Sequence, residues 1–203
     1  SQDKKWDSKF LNESLIKYMK LIKSSSASLI VLPETSIPLM LHQIPNNYLN
    51  EIRSHAIKND GDVILGVIEK EKEEFYNSAI SIGTAPMQSY RKFHLVPFGE
   101  FIPFNKIIGY IYKNWLDIPF SDLSRGLEIQ PPIVLSGQRL GLNICYEDVF
   151  GYEINKSLPE ATLLVNISND AWYGKSIAAS QHLQISQARA METQRMMLRA
   201  TNT

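Results

Sequence analysis

One cysteine, Cys145, leaves no partner for an internal disulfide, and the four histidines at 42, 55, 94 and 182 show no zinc-ligand spacing. Net charge is also missing. Lys plus Arg and Asp plus Glu both number 21, so no overall field would draw the 203-residue chain to nucleic acid. Apolar runs such as Leu29 to Leu32 are far too short to span a bilayer, and Ser1-Gln2-Asp3-Lys4-Lys5 has no signal-peptide pattern. G-x-S-x-G, P-loop and G-x-G-x-x-G motifs are all lacking, which removes the usual markers of a serine hydrolase or a nucleotide site. No repeat or low-complexity tract interrupts the chain.

What is present is ordinary globular chemistry, 44% apolar and 21% charged, in a length that suits one domain. In Leu140-Gly141-Leu142-Asn143-Ile144 the apolar residues alternate with small or polar ones, the period of a buried strand, and Cys145 stands where that strand should stop. Tyr146, Glu147 and Asp148 follow, and acidic residues there suit a helix start. Upstream, helical spacing predicts amphipathic helices over 7–23 and 47–58. Strands are predicted over 27–32, 63–68, 75–82, 88–94 and 161–167, the charged run 69–74 joining two of them as a hairpin-like turn. A long helix is predicted over 177–199. Helices alternating with strands and strand pairs give an α/β chain around a largely buried sheet.

Three strand ends carry reactive side chains: Glu34, Lys92 and Cys145. A catalytic cysteine acts as the thiolate and needs a base or a cation nearby. Glu34 could take the proton, and Lys92 could favour the thiolate and then an oxyanion. Each has a plainer alternative: a small core hydrophobe for Cys145, a helix-capping acid for Glu34, a surface cation for Lys92. Spacing along the chain leaves both readings open.

Pro33-Glu34, then Tyr90-Arg91-Lys92-Phe93-His94, then Cys145-Tyr146-Glu147 resemble the Glu-Lys-Cys triad segments of the nitrilase (carbon–nitrogen hydrolase) superfamily. Within it, His94-Leu95-Val96-Pro97-Phe98-Gly99-Glu100-Phe101-Ile102-Pro103 resembles the lysine loop of the apolipoprotein N-acyltransferase family. So do Ser168-Asn169-Asp170-Ala171-Trp172-Tyr173-Gly174 and the closing Arg199-Ala200-Thr201-Asn202, and Glu147 stands where the superfamily's amidases commonly have Asp.

The resemblance implies a nitrilase-like four-layer α-β-β-α sandwich, with residues 1–203 as one catalytic domain. It implies Glu34 as general base, Lys92 as oxyanion-stabilising cation and Cys145 as nucleophile, supported by Glu100 and Glu147. Trp6, Tyr146 and Trp172 match substrate-side positions. The implied reaction is ping-pong acyl transfer, with no metal or cofactor. An acyl chain passes from a phosphatidylethanolamine-like phospholipid, through a cysteine thioester, to the α-amine of a diacylglyceryl-cysteine lipoprotein. The implied setting is the periplasmic face of a bacterial inner membrane, as a monomer with no nucleic-acid partner. Members carry flanking transmembrane helices, so the chain is expected to be a soluble piece of the extracytoplasmic domain, truncated at both ends. Alternatives are a nitrilase-type amidase acting on a small amide, or a non-catalytic lipid-binding remnant. The aromatic-rich stretch Phe101 to Leu123, with Tyr112 and Trp115, is expected either at the membrane interface or as an irregular packing excursion.

Overall fold

The computed structural model describes residues 8–101, 122–174 and 176–202; Trp6, Tyr112 and Trp115 lie outside them. The first half begins with α1 (Ser8–Lys23), β1 (Leu29–Val31) and α2 (Asn46–Lys58). β2 (Asp62–Glu71), β3 (Glu74–Gly83) and β4 (Ser89–Arg91) follow. β1 runs parallel to β2, while β2, β3 and β4 pair antiparallel, giving a sheet in the order β1-β2-β3-β4.

The second half holds β5 (Ile133–Leu135), β6 (Gln138–Ile144), β7 (Leu163–Ser168), α3 (Ala178–Thr193) and β8 (Met197–Thr201). β5 and β6 form an antiparallel pair, and β6, β7 and β8 run parallel in a second sheet ordered β5-β6-β7-β8.

The period of β2 divides its side chains between two cores. Val63, Leu65 and Val67 turn toward α1 and α2, where they meet Ile22, Ile52 and Ala56. Ile64 turns the other way and, with Ala79 of β3, packs on Leu140, Leu142, Ile144, Val165 and Ile167 of the second sheet. A strand buried on both faces reads as a nearly continuous apolar run, as β2 and β7 do. Outside the second sheet, Leu164 meets Ile154 and Ala161, and α3 lies against β8 and the turn after β6. Helix, sheet, sheet, helix is the expected four-layer arrangement.

Two predictions are corrected. The helix drawn over 177–199 stops at Thr193, where Gln194 takes a left-handed conformation (φ 53°). Residues 197–201 instead form β8, paired in parallel with Leu164 to Ser168. Met, Leu and Arg are good helix formers, but the open edge of β7 offers a ladder of hydrogen bonds that outweighs their propensity. The acidic turn after Cys145 is 3-10 rather than α-helical, over Cys145–Val149.

Candidate active site

β1 ends into a tight turn carrying Glu34, and Gly66 of β2 lets that turn lie flat on the sheet. A Cβ at Gly66 would come within 2.4 Å of the Pro33 carbonyl oxygen and 2.7 Å of Glu34 Cα. Lys92 follows β4, its N–H bonded to the Asn77 carbonyl oxygen of β3 at 2.8 Å. Cys145 follows β6 with φ at +55°, a left-handed conformation that few non-glycine residues adopt. Such a bend at a sheet end turns the side chain out of the strand direction. Glu34, Lys92, Glu100, Cys145 and Trp172 line one cavity of about 240 Å³.

Lys92 is 1% exposed, which removes the surface-cation reading. Its Nζ donates to Glu100 Oε1 at 2.9 Å and lies 3.7 Å from Glu34 Oε1. Burial alone would discharge the lysine, but Glu100 and then Glu34 outweigh it and hold the ammonium charged. Asn77 Nδ2 bridges the two acids, donating to Glu34 Oε1 at 2.7 Å and to Glu100 Oε1 at 2.9 Å. The second oxygen of each acid accepts a backbone N–H: Asn169 to Glu34 and Val96 to Glu100, both at 2.8 Å. Both carboxylates are thus fixed from two directions.

Cys145 is 7% exposed, and its thiol is pushed up to about 12, by burial first and then by the Glu34 charge, with Lys92 and Ser168 pulling back. The resting sulfur is therefore a neutral thiol facing a carboxylate and an ammonium. That is the state from which a general base can generate a nucleophile when an electrophile arrives.

Glu147 does not face the cavity. Burial lifts its carboxyl to about 7 against the pull of its donors. Those donors are the N–H groups of Phe93, His94 and Ile144 at 2.8, 3.0 and 2.7 Å, and the Tyr90 hydroxyl at 3.0 Å. It ties the turn of Cys145 to the turn of Lys92. Tyr146 packs edge-on against His94 and Phe150 and is not among the residues lining the cavity, whereas Trp172 lines it and is 58% exposed.

Sequence reasoning gave no site role to Asn77 or to the members of a polar cluster beneath the cysteine: Asp148, Asn166, Asp170, His182, Ser186 and Arg199. The available signal was the Asn within β3 and a His inside α3 with an Arg in the strand after it. Neither pattern names a partner.

The carbon-nitrogen hydrolase family model matches residues 1–203. An apolipoprotein N-acyltransferase of Nitrosomonas europaea is 52% identical over the whole chain, and one of Chromobacterium violaceum is 43% identical. The chain spans only 41% and 39% of the length of these two relatives. Among solved structures, the C. elegans NitFhit protein superposes with a TM-score of 0.71 at 20% identity, covering 95% of this chain and 48% of that one. A carbon-nitrogen hydrolase from Helicobacter pylori G27 gives 0.67 at 18% identity, over 94% of this chain and 68% of that one.

Proposed function

The chain belongs to the carbon–nitrogen hydrolase family, and from that premise we propose that it is the acyl-transferring domain of a bacterial apolipoprotein N-acyltransferase. The observation that carries the reading is the buried Lys92 ammonium held between Glu34 and Glu100 in the cavity that also holds Cys145. Kinship with the two N-acyltransferases at 52% and 43% identity supports transfer over hydrolysis.

In this reading Glu34 takes the Cys145 proton as sulfur attacks the ester carbonyl of a phosphatidylethanolamine-like donor. Lys92 stabilises the tetrahedral oxyanion. Collapse breaks the ester C–O bond, and the leaving lysophospholipid alkoxide takes the proton back from Glu34. The α-amine of a diacylglyceryl-cysteine lipoprotein then attacks the thioester and yields its proton to Glu34. The C–S bond breaks, the amide is complete, and the proton returns to sulfur. Glu100 and Glu147 support Lys92 and the two turns. Ile68, Val96, Leu123 and Trp172 offer an apolar wall to the acyl chain; Trp6 acts on the substrate side, and Tyr146, packed on His94 and Phe150 outside the cavity lining, serves it only indirectly. Residues 1–203 form one catalytic domain. Among the described residues no helix is long and apolar enough to cross a membrane. The full-length protein is placed by this reading at the periplasmic face of the inner membrane, as a monomer.

The test is intact-mass spectrometry after incubation with phosphatidylethanolamine in detergent, beside a Cys145→Ala control. One added acyl chain, released by hydroxylamine and absent from the control, supports the thioester; its transfer to a diacylglyceryl-cysteine peptide separates acyltransferase from amidase. A folded full-length protein that never acquires the adduct overturns the reading.

A further inference from the structure

Cys145 holds its left-handed conformation with its carbonyl oxygen turned away from the cavity, and two side chains meet that oxygen. Asn166 Nδ2 donates to it at 2.9 Å, and His182 Nε2 lies 3.2 Å away. His182 is 5% exposed, and its ring sits between two acids, with Nε2 3.0 Å from Asp148 Oδ1 and Nδ1 3.0 Å from Asp170 Oδ1. Every oxygen facing the ring is an acceptor, so both nitrogens must carry hydrogen and the ring is an imidazolium. Arg199 completes the group, with Nη2 2.7 Å from Asp170 and Nη1 3.5 Å from Asp148. Two anions and two cations balance in a buried cluster. None of these four residues lines the cavity.

We propose that His182 is a positioning residue for the nucleophile: through the carbonyl oxygen of Cys145 it holds the left-handed bend that presents the thiol to Glu34 and Lys92. Acid, base and oxyanion roles belong to other residues, and His182 never touches substrate. Asp148 and Asp170 fix the ring between them, Arg199 balances their charge, and Asn166 supplies the second donor. The inference rests on Cys145 being the nucleophile of the proposed reaction.

Cys145 is the only thiol of the chain, so alkylation by iodoacetamide at pH 8, followed by intact mass, reads one atom and needs no acyl donor. His182→Gln is expected to slow alkylation about tenfold, the factor carried by one charge-assisted hydrogen bond. Asn166→Ser is expected to slow it in the same direction. Ser186→Ala removes the hydroxyl that bonds Asp148 and Arg199 without touching the Cys145 carbonyl. It is expected to lower Tm while leaving alkylation within about twofold, taking a factor of two as ordinary scatter. In acyl transfer by the full-length protein, His182→Gln is expected to lower kcat and leave KM unchanged. Folded His182→Gln and Asn166→Ser chains that alkylate at the parent rate overturn the proposal, as does equal slowing by Ser186→Ala. If His182→Gln does not fold, Asn166→Ser decides alone. The alkylation pattern without any acyl adduct from the full-length protein overturns the acyl-transfer reading and leaves the role of His182 standing.

Discussion

Glu147, two residues past Cys145, accepts the backbone N–H of His94, two residues past Lys92, at 3.0 Å. The turn of Cys145 and the turn of Lys92 are thereby fastened by one side chain. Glu147→Gln is expected to be costly despite its identical shape. In either orientation the new amide NH2 faces a backbone N–H that had an acceptor, and an orphaned buried donor costs about 1–3 kcal/mol. A urea titration should show a loss of that order, and a variant within ~0.5 kcal/mol of the parent would deny Glu147 this function.

Lys92 sits between the buried carboxylate of Glu34 and the partly buried one of Glu100, so removing its charge strands both. Lys92→Met is expected to lose about 3–5 kcal/mol, the usual effect of leaving a buried charge uncompensated, and all thioester formation. Adding Glu100→Gln should recover much of that stability and none of the acylation. Denaturant midpoints and acyl adducts measured on the same samples check both halves.

Glu34 contributes to raising the Cys145 thiol, and Glu34→Gln removes that charge. With the thiol at about 12 in the parent, iodoacetamide labelling should climb about tenfold per pH unit from pH 7 to 9, following the thiolate fraction. Glu34→Gln should label faster than the parent at each pH while acyl transfer falls by about 10²–10⁴, the usual value of a general base. A variant slowed in both assays would contradict Glu34 as a base whose charge opposes ionisation.

His182 is held above the usual histidine value of 6.5: burial lowers it, but the hydrogen bond and charge of Asp148, with Asp170, outweigh that. A raised folded-state pKa means the folded chain keeps a proton that the unfolded chain releases near pH 6.5. Its stabilising contribution is therefore complete below pH 6.5 and declines as pH rises through the folded value. Urea midpoints from pH 6 to 9 should fall in the parent, and His182→Gln should lack that part of the slope.

Much of the fold was legible because apolar periodicity reports which faces are buried. β2 and β3 showed it, and the charged run 69–74 marked the turn that joins them. Residues 194–199 were misread because nothing in Arg195-Met196-Met197-Leu198 announces the free edge of β7 beside it. The positions of Glu34, Lys92 and Cys145 could be singled out because each stands at a strand end in a long motif. Asn77 could not: its bond to Glu34 joins residues 43 apart, and a polar residue in a strand that also buries Ser78 and Ser81 does not say what it meets. Asp148 looked like a helix-start acid, yet it pairs with His182, 34 residues on, because the turn that follows Cys145 is 3-10 and aims it inward.

Glu34 and Lys92 hang from the ends of the first sheet and Cys145 from an end of the second, while Ile64 and Ala79 meet Leu142 and Ile144 between them. The distance from Glu34 to the Cys145 sulfur is therefore a property of a seam between two slabs, and in the proposed reaction a shift of about 1 Å along it can cost about a hundredfold in rate. Mild denaturant or a methyl-sized void at Ile64 should silence acylation while circular dichroism still reports every helix and strand. On the proposed reaction, the rate would gauge how closely the two layers are stacked.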